Sequence, residues 1–585
     1  MAVAEKGVWL KKGGSFLIER HPAEDMLIPE AFGEELKMMG AAAQSFVERE
    51  IKPVFAEMEG LSYDLSVKAM RKAGEQGLLA VDVPEAYGGL DAAKAASMLV
   101  AEKLAKSGSF NVTFNAHTGI GTLPLVYFGN ASQKERYLPA LASGEKIAAY
   151  CLTEAGSGSD SRAAKTRAVL NEAGTHYLLN GSKMWISNAG FADLFTVFAQ
   201  VDGDKFTAFL VERDTAGLSF GAEEKKMGIK GSSTQRVILE NVEVPVGNVL
   251  GEIGKGHMIA FQILNIGRLK LAAGAIGGCK EMVRLAATYA LEREQFGQPI
   301  ANFGLIKEKL GKMAADTFAL ETAVYRMTGA LDARLAGKET PEEKLAAIDE
   351  YVVEYSFIKV VGSEILDEVI DEALQIYGGN GFSAEYPIEL AYRNSRINRI
   401  FEGTNEINRL LTTGQLLKRA MKGKLDLMSA VQRAMEAKPA TEAEAPDELR
   451  DAYLAVENLK GATLMVAGTA AMTFAQGIEK EQEVMARVAD MVAAVYLAES
   501  ALLRAERLLG GPRGMVAATL ARLYAFAAVD KARVDGAEAL RRIPGKVSEN
   551  TGKVSEYLPE HGVDLIELRR EAAAAVYEAR AYPLA

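Results

Sequence analysis

The sequence predicts a mainly α-helical protein with a small central β domain and a further helical domain toward its C-terminal end. Apolar residues recur at helical spacing up to about residue 144, follow the alternation of β-strands up to about residue 249, and return to helical spacing after it. Hydrophobic residues make up 49% of the 585 positions and charged residues 25%, so the chain can fill more than one core.

Local patterns place the boundaries between these parts. Phe46, Ile51 and Phe55 show the helical spacing of the first part, and the apolar run 194–198 is typical of the β domain. The acidic, proline-containing stretch 437–446 marks a linker. We therefore predict five segments, which are a helical domain 1–146, a β domain 147–255, a helical bundle 256–425, a linker 426–448 and a C-terminal helical domain 449–585.

Composition narrows the class of protein and its compartment. A formal net charge of -11 argues against nucleic acid as the main partner. Only Cys151 and Cys279 are cysteines, and no early apolar run resembles a secretion signal, so we expect a cytoplasmic protein without disulfides. The five histidines lack metal-ligand spacing, and no metal site is expected. The apolar stretch 271–279 lies between Lys270 and Lys280, so we expect no membrane-spanning segment.

The candidate catalytic residue is Glu402, in the sequence RIFEGTN over residues 399–405. Ile400 and Phe401 precede the carboxylate, and a dry cleft would make it a stronger base for removing a proton. Gly403 leaves space for a ligand to approach the backbone. The alternative is that Glu402 forms an ion pair with one of three nearby arginines, which are Arg393, Arg396 and Arg399.

Two segments of the predicted β domain are suited to binding a flat, electron-rich ligand. Residues 150–160, YCLTEAGSGSD, form a loop of small and hydroxyl-bearing residues that presents donor groups. Residues 183–188, KMWISN, place the Trp185 indole beside the Ser187 hydroxyl. The alternative for the first segment is a plain turn, because Gly/Ser loops are common.

The segments 150–160, 183–188 and 399–405 resemble the signatures of the acyl-CoA dehydrogenase family, and they occur in the order found in that family. Residues 293–297, REQFG, and 375–382, QIYGGNGF, agree with it as well. The resemblance covers roughly residues 32–420 and implies a helical lobe, a β-barrel-like lobe and a four-helix bundle. In relatives the position of Ala155 often carries proline, which implies a less rigid loop here.

The resemblance implies that the cofactor is FAD. It places Thr153, Ser159, Trp185 and Ser187 at or near the isoalloxazine. It also assigns some residues to the FAD of a neighbouring subunit, and so implies at least a dimer; these are Arg293, Phe296, Gln375 and Gly379. A guanidinium suits a diphosphate, and the glycine pair permits close approach, although a helix-ending turn is the alternative for the glycines. The full implied set is Tyr150, Leu152, Thr153, Gly158, Ser159, Trp185, Ile186, Ser187, Arg293, Phe296, Gln375, Gly378, Gly379, Thr404 and Glu406.

The implied reaction is the first step of fatty acid β-oxidation. Glu402 would remove the α-proton of a fatty acyl-CoA while the β-hydrogen leaves as hydride to flavin N5, giving a trans-2-enoyl-CoA. The enolate oxygen would be stabilised by the backbone N–H of Glu402 and a ribityl hydroxyl, and such donors contribute about 3 kcal/mol each. Electrons would pass to an electron-transferring flavoprotein. The residues implied for substrate binding are Ser159, Asn265, Arg268 and Gly403.

Residues 265–268, NIGR, support the choice of Glu402. Some branches of the family carry the base just before the arginine of this motif, and here that position is Gly267. Asn265 and Arg268 are expected on one helix face because their spacing is i, i+3. The alternative for Arg268 is a surface salt bridge.

The additional C-terminal part resembles the very-long-chain branch of the family, which implies a homodimer and possible peripheral contact with a membrane. Residues 115–121, NAHTGIG, also resemble this branch. Small side chains at Ala116 and Gly119 would leave a deep acyl channel, and the alternative is that they permit close helix packing.

Two rival functions remain at this stage. An acyl-CoA oxidase would use the same base and flavin with oxygen as the electron acceptor. A non-catalytic assembly factor could retain the fold, although the presence of Glu402, Arg268 and the loop 150–160 argues against it.

Overall fold

A computed structural model describes residues 11–544 and 547–584 and divides the chain into two compact units. The first unit comprises Gly33–Gly277 and Gly337–Asp349. The second unit comprises the described residues of Met1–Phe32, Gly278–Ala336 and Glu350–Ala585.

The first unit begins with short helices. Helix α7 shows why one of them starts where it does, because Asn130 and Gln133 form a capping box that satisfies otherwise unpaired backbone N–H groups. The helices are α1 Glu34–Phe46, α2 Phe55–Glu59, α3 Tyr63–Glu75, α4 Lys94–Leu104, α5 Phe110–Ala116, α6 Leu123–Phe128 and α7 Ala131–Ser143.

A single mixed sheet follows these helices. Its strands are β1 Ala148–Cys151, β2 Arg167–Leu170, β3 His176–Ser187, β4 Leu194–Val201, β5 Lys205–Glu212, β6 Leu218–Glu223, β7 Thr234–Pro245 and β8 Val249–Leu250. The strand order is β6-β7-β3-β2-β4-β5-β8, with β1 pairing with β4. The pairs β1–β4 and β2–β4 are parallel and the other pairs are antiparallel. The register of β3 against β7 shifts between Lys183 and Ile186, which is where a predicted site segment lies.

The helices of the first unit pack on this sheet. Phe46, Phe110 and Phe114 belong to the same buried cluster as Phe195 and Val197 of β4. The rings of Phe46 and Phe110 lie 6.0 Å apart between centroids. This shared apolar core holds the sheet and the loops at its strand ends in place.

The remaining elements are long helices and one short hairpin. They are α8 Gly256–Glu292, the hairpin β9 Glu294–Gln295 and β10 Gln298–Pro299, α9 Gly304–Leu335, α10 Pro341–Asp349, α11 Val352–Tyr377, α12 Pro387–Ser395, α13 Asn405–Met421, α14 Leu427–Glu436, α15 Arg450–Phe474, α16 Gln482–Leu508, α17 Gly514–Arg541, α18 Val547–Tyr557 and α19 Leu565–Ala579. Within the second unit, α16 packs along α17, α19 along α9, and α11 along α13.

A buried ion cluster ties distant parts of the second unit together. The fully buried guanidinium of Arg504 on α16 donates to Glu30 and to Glu321 of α9, the latter at 2.7 Å. Tyr582, near the C-terminal end, donates its hydroxyl to Glu321 at 3.0 Å. Burial alone would raise the pKa of Glu321, but the charges of Arg504 and Lys280 hold it below its ordinary value.

Helix α8 corrects one expectation. It has 37 residues and is long and apolar enough, by length and composition, to cross a membrane. The expectation that no segment could span a membrane is wrong on these two criteria. In the structure 72% of its most apolar stretch is buried inside the protein, as in a core helix.

The predicted fold class is confirmed, with helices, then a sheet, then helices, and a C-terminal helical domain. The five predicted boundaries stay a prediction. Within the predicted linker, residues 427–436 form α14, whose Val431 packs against Gly468 of α15, whereas 437–446 contains neither helix nor strand.

Candidate active site

The loop 150–160 leaves the end of β1 and is tied to β3 by a buried ion pair. Lys183, fully buried on β3, donates to the carboxylate of Glu154 at 2.7 Å and to the carbonyl of Leu152 at 3.2 Å. The backbone N–H of Met184 donates to the carbonyl of Thr153 at 2.9 Å. The structure therefore brings two of the predicted cofactor segments together.

The carboxylate of Glu154 is satisfied on both oxygens. It also accepts hydrogen bonds from the backbone N–H groups of Lys165 at 2.7 Å and Thr166 at 3.0 Å. Burial would raise the pKa of Glu154, but these donors and Lys183 hold it below its ordinary value. Burial lowers the pKa of Lys183, and the charge of Glu154 opposes that shift. The ion pair thus fixes the loop to the strand.

The bulge in β3 turns Trp185 out of the sheet. Trp185 has a φ of +61°, and 52% of its surface is exposed. Its neighbour Ile186 is buried, whereas Ser187 and Thr153 are half-buried. The strand therefore presents an exposed indole, and the hydroxyl of Ser187 follows it in sequence.

The other predicted residues of this segment divide into buried and open positions. Tyr150 and Leu152 are buried, and the ring of Tyr150 packs edge-on against Phe198 at 5.1 Å. Gly158 and Ser159 are exposed, and no atom lies within 4 Å of where a Cβ of Gly158 would be. The tip of the loop leaves space for a ligand.

Asn265 and Arg268 of α8 meet as their i, i+3 spacing predicts. A guanidinium nitrogen of Arg268 donates to the side-chain oxygen of Asn265 at 2.8 Å. Both residues are buried, so the alternative of a surface salt bridge for Arg268 is wrong. Their role toward a substrate stays a prediction.

Glu402, in the second unit, lies in a tight turn between a helical turn ending at Arg399 and helix α13. Glu402 has a φ of +58° and Gly403 a φ of +82°. For a residue with a Cβ, this left-handed conformation costs about 1–2 kcal/mol. The Oε2 atom of Glu402 is buried. Backbone strain of this kind persists only where neighbouring groups hold the turn.

Groups on both sides hold that turn. Thr404 caps α13, its hydroxyl accepting from the backbone N–H of Ile407 at 3.3 Å. The side-chain amide of Asn408 donates to the carbonyl of Gly403 at 2.7 Å. The buried ammonium of Lys359 on α11 donates to the same carbonyl at 2.8 Å.

Two of the three nearby arginines have carboxylate partners of their own. Arg399 pairs with Asp367 of α11 at 2.9 Å, and Arg393 pairs with Glu389 one turn earlier in α12 at 2.8 Å. Glu406, in the first turn of α13, is exposed. Hydrogen bonds from its own backbone N–H and from Thr404 hold the pKa of Glu406 below its ordinary value.

Within the second unit, segment 375–382 contacts Tyr289, which lies one helical turn before segment 293–297. The rings of Tyr289 and Tyr377 stack at 4.0 Å, and Asn380 donates to the hydroxyl of Tyr289 at 3.0 Å. Arg293 and Gln375 are exposed on either side of this contact.

The turns beside this stack are open. Gly378 has a φ of +59° with a ψ of −134°, a conformation that favours glycine, and no atom lies within 4 Å of a Cβ built on Gly378 or Gly379. Phe296, at the hairpin tip, is 93% exposed. A guanidinium and an open glycine turn are groups that suit the binding of a diphosphate.

The sequence alone does not identify the residues that hold the two candidate functional segments, 150–160 and 399–405. Nothing in the local sequence indicates the role of Glu154, because its partner Lys183 lies 29 positions away. The local sequence does mark Lys359, since it is the only charged residue between Tyr355 and Gly362. A lysine inside an apolar run is usually paired when buried. Asn408 lacked such a signal.

Comparison with known proteins gives the family. The chain matches the family models described as "Acyl-CoA dehydrogenase, N-terminal domain" over residues 33–145 and "Acyl-CoA dehydrogenase, middle domain" over 149–242. Two models described as "Acyl-CoA dehydrogenase, C-terminal domain" match residues 254–417 and 458–546.

Individual relatives agree. A probable acyl-CoA dehydrogenase of Bacillus subtilis (strain 168) is 46% identical over 600 residues, covering 99% of this chain and 100% of that protein. The human mitochondrial very long-chain specific acyl-CoA dehydrogenase is 41% identical over 351 residues, 58% of this chain and 52% of that protein. The crystal structure of an acyl-CoA dehydrogenase complexed with FAD from Bacillus anthracis matches with a TM-score of 0.96 at 46% identity, covering 98% of this chain and 100% of that one.

A helical domain, a sheet with a hydroxyl-lined loop and a helical domain with a glutamate turn define the acyl-CoA dehydrogenase class of flavoprotein fold. This chain belongs to the acyl-CoA dehydrogenase family, and it carries the second C-terminal domain found in only part of its matches. The family resemblance read from the sequence is confirmed.

The Lys183–Glu154 pair generates a stability prediction. We expect Lys183→Met to lower the free energy of unfolding by about 3–5 kcal/mol at neutral pH, because the buried carboxylate loses its counter-charge. The double variant Lys183→Met with Glu154→Gln should recover most of this loss. Urea denaturation of both variants and the wild type measures it.

The same pair predicts a pH dependence. Because the pKa of Glu154 is lowered in the fold, its stabilising effect is present above its ordinary value of 4.5 and is lost as the pH falls through the lowered value. The difference in the free energy of unfolding between wild type and Lys183→Met should therefore become smaller in acid. Equal losses in the single and double variants, or a difference that widens in acid, would contradict this account of the loop.

Proposed function

We propose that this protein is an FAD-dependent dehydrogenase that converts long-chain fatty acyl-CoA thioesters to trans-2-enoyl-CoA. The observation that carries the proposal is the held turn at Glu402, which presents one carboxyl group at the position that the family resemblance assigns to the base. Membership of the acyl-CoA dehydrogenase family supports the reaction class.

The residues present fit FAD. The exposed indole of Trp185 and the hydroxyls of Thr153 and Ser187 suit the face and polar edge of an isoalloxazine. Arg293 and the open turn at Gly378 suit the diphosphate of the FAD that a neighbouring subunit binds. When bound, FAD supplies the acceptor for the β-hydrogen as hydride. The FAD complex of the Bacillus anthracis relative supports the same cofactor here.

The remaining chemistry belongs to the protein. The carboxylate of Glu402 takes the α-proton of the thioester, and its buried Oε2 atom is kept from bulk water. We assign the backbone N–H of Glu402 to the thioester oxygen, where a preorganised donor contributes about 3 kcal/mol to stabilising the developing enolate. Asn265 and Arg268, held to each other, are assigned to the CoA thioester arm.

Space beside the helical turn after α5 supports a long acyl chain. Residues 117–121 form a π-helical turn, a feature often associated with functional sites. A Cβ on Gly119 would meet only the Cδ atom of Lys270, at 3.8 Å, which is ordinary contact. The ammonium of Lys270 is directed instead to Asp82 at 3.3 Å and Thr118 at 3.2 Å. Close packing therefore does not require glycine at position 119, which favours the acyl-channel role over the packing alternative.

A neighbouring glycine shows the contrast. A Cβ on Gly121 would meet the carbonyl oxygen of Ala116 and the Cβ of Ala148, each at 2.9 Å. Gly121 is thus a packing glycine, whereas Gly119 leaves room.

We propose a homodimer as the active form. Phe296 and Phe382 are 93% and 87% exposed, in two turns joined by the stacked pair Tyr289 and Tyr377. Large apolar side chains exposed together suit contact with a second copy of the chain.

We further propose that electrons pass to an electron-transferring flavoprotein rather than to oxygen, which the dehydrogenase relatives support.

Peripheral contact with a membrane is a related proposal. Met421 and Met428 are exposed by 87% and 64% around the start of α14, and Lys422 and Lys424 lie between them in sequence. Apolar side chains flanked by lysines suit the headgroup region of an anionic membrane.

The base is tested by Glu402→Gln. The amide is isosteric but cannot accept the α-proton, so we expect FAD content to be retained and anaerobic flavin bleaching by acyl-CoA to fall by at least about 1000-fold. Flavin absorbance in a stopped-flow instrument measures both. Glu385→Gln, an exposed glutamate nearby in sequence, is the matched control and should bleach normally.

The outcome also separates the rival functions. Nearly unchanged bleaching in Glu402→Gln would remove Glu402 from the mechanism. Wild-type protein purified without flavin absorbance would favour a non-catalytic assembly factor, and rapid reoxidation by oxygen alone would favour an oxidase.

The acyl channel is tested by Gly119→Leu. If Gly119 lines the channel, the larger side chain should lower the rate of flavin bleaching by palmitoyl-CoA at least about tenfold while butyryl-CoA changes by less than about twofold. Wild type should bleach faster with palmitoyl-CoA. An equal effect on both substrates, or none on either, would contradict the assignment.

A further inference from the structure

A buried lysine, Lys359, lies at the centre of the groups that hold the Glu402 turn. It is on α11, is fully buried, and donates to the carbonyl of Gly403 at 2.8 Å and to the side-chain oxygen of Asn405 at 2.9 Å. One cation therefore joins the residue after Glu402 to the first residue of α13. A charge-assisted hydrogen bond of this kind is stronger than one between neutral groups.

Asn405 passes this contact to a carboxylate. Its side-chain amide donates to Ser363 at 3.0 Å and to Glu364 at 3.0 Å, both on α11. The two oxygens of Glu364 in turn accept two parallel hydrogen bonds from Arg409 of α13, at 2.8 and 2.7 Å. The fork geometry fixes the guanidinium in one orientation.

The last member of the chain of contacts is on a C-terminal helix. The Nε atom of Arg409 donates to Asp490 of α16 at 2.7 Å. The side chains of Arg409 and Asp490 are only 16% and 10% exposed, so solvent screens this pair less than a surface pair. Helix α16 is thus connected to the Glu402 turn by a chain of side-chain contacts. Its members after Asp490 are Arg409, Glu364, Asn405 and Lys359.

The backbone strain at Glu402 explains why the turn needs these contacts. Glu402 and Gly403 are two consecutive left-handed residues, and the first carries a side chain. Such a conformation relaxes unless its surroundings determine it. A turn that relaxed would move the carboxylate, and a displacement of about 1 Å can lower a rate about 100-fold.

We propose that Lys359 and the Asp490–Arg409–Glu364 chain are positioning groups for Glu402, so that helix α16 of the C-terminal domain sets the efficiency of proton removal. The proposal rests on the function proposed above for Glu402. None of these residues is assigned to touch substrate or flavin. Their effect is on the placement of the carboxylate that does.

Asp490→Asn tests the proposal in the full-length, FAD-loaded enzyme. The amide keeps the size of the side chain and removes the charge that orients Arg409. We expect the limiting rate of flavin bleaching, per bound flavin, to fall about tenfold while the apparent Kd for acyl-CoA changes by less than about twofold. Asp490→Glu, which restores the charge, should recover a rate within about threefold of wild type.

A matched control lies on the same helix. Arg487 of α16 pairs with Glu538 of α17 at 2.8 Å. Glu538→Gln removes a carboxylate from an ion pair of α16 and leaves every hydrogen bond between Asp490 and the Glu402 turn in place, so its limiting rate should match wild type. A fall of equal size in Glu538→Gln and Asp490→Asn would overturn the proposal. An unchanged limiting rate in Asp490→Asn would overturn it as well.

A second readout does not depend on activity. Amide hydrogen exchange over residues 400–406 should be faster in Asp490→Asn than in wild type or Glu538→Gln, because the turn loses one of its supports. Unchanged exchange would overturn the proposal. If none of the acyl-CoA substrates bleaches the flavin of the wild type, the proposed function fails. Faster amide exchange in Asp490→Asn would still show that α16 supports the turn.

Discussion

The hydrogen bond from the buried ammonium of Lys359 to the carbonyl of Gly403 is the interaction on which the proposed chemistry depends. Glu402 occupies a left-handed conformation that its side chain disfavours, and the turn cannot keep it without outside support. Lys359 is fully buried, and its ammonium donates to the carbonyl of Gly403 and to the side-chain oxygen of Asn405. The desolvation of that lysine and the strain of the turn are therefore offset by the same contact.

In the first unit a buried lysine holds the candidate cofactor loop in the same way. Lys183 is also fully buried, and it binds the carbonyl of Leu152 and the carboxylate of Glu154 at the start of the loop 150–160. In both units a lysine on a regular element clamps backbone carbonyls of an irregular segment. Rigid elements thus determine where the loop backbones lie, while the loop tips, such as Gly158, stay open.

Local patterns allowed much of this to be predicted from the sequence. The i, i+3 contact of Asn265 and Arg268 follows from helical geometry, and the change from helical to alternating spacing located the sheet. The supports of the loops could not be predicted. Asp490 lies 81 positions from Arg409, and only the packing of α16 against α13 makes them neighbours. The bulge that turns Trp185 outward is likewise a property of the paired strands.

The most direct test is a crystal structure of the protein with FAD and an unreactive acyl-CoA analogue. The account predicts a carboxylate oxygen of Glu402 at about 3–3.5 Å from the α-carbon of the ligand, with Lys359 still bound to the carbonyl of Gly403. A carboxylate turned away from the α-carbon, and paired instead with Arg396 or with a cation at the protein surface, would contradict it.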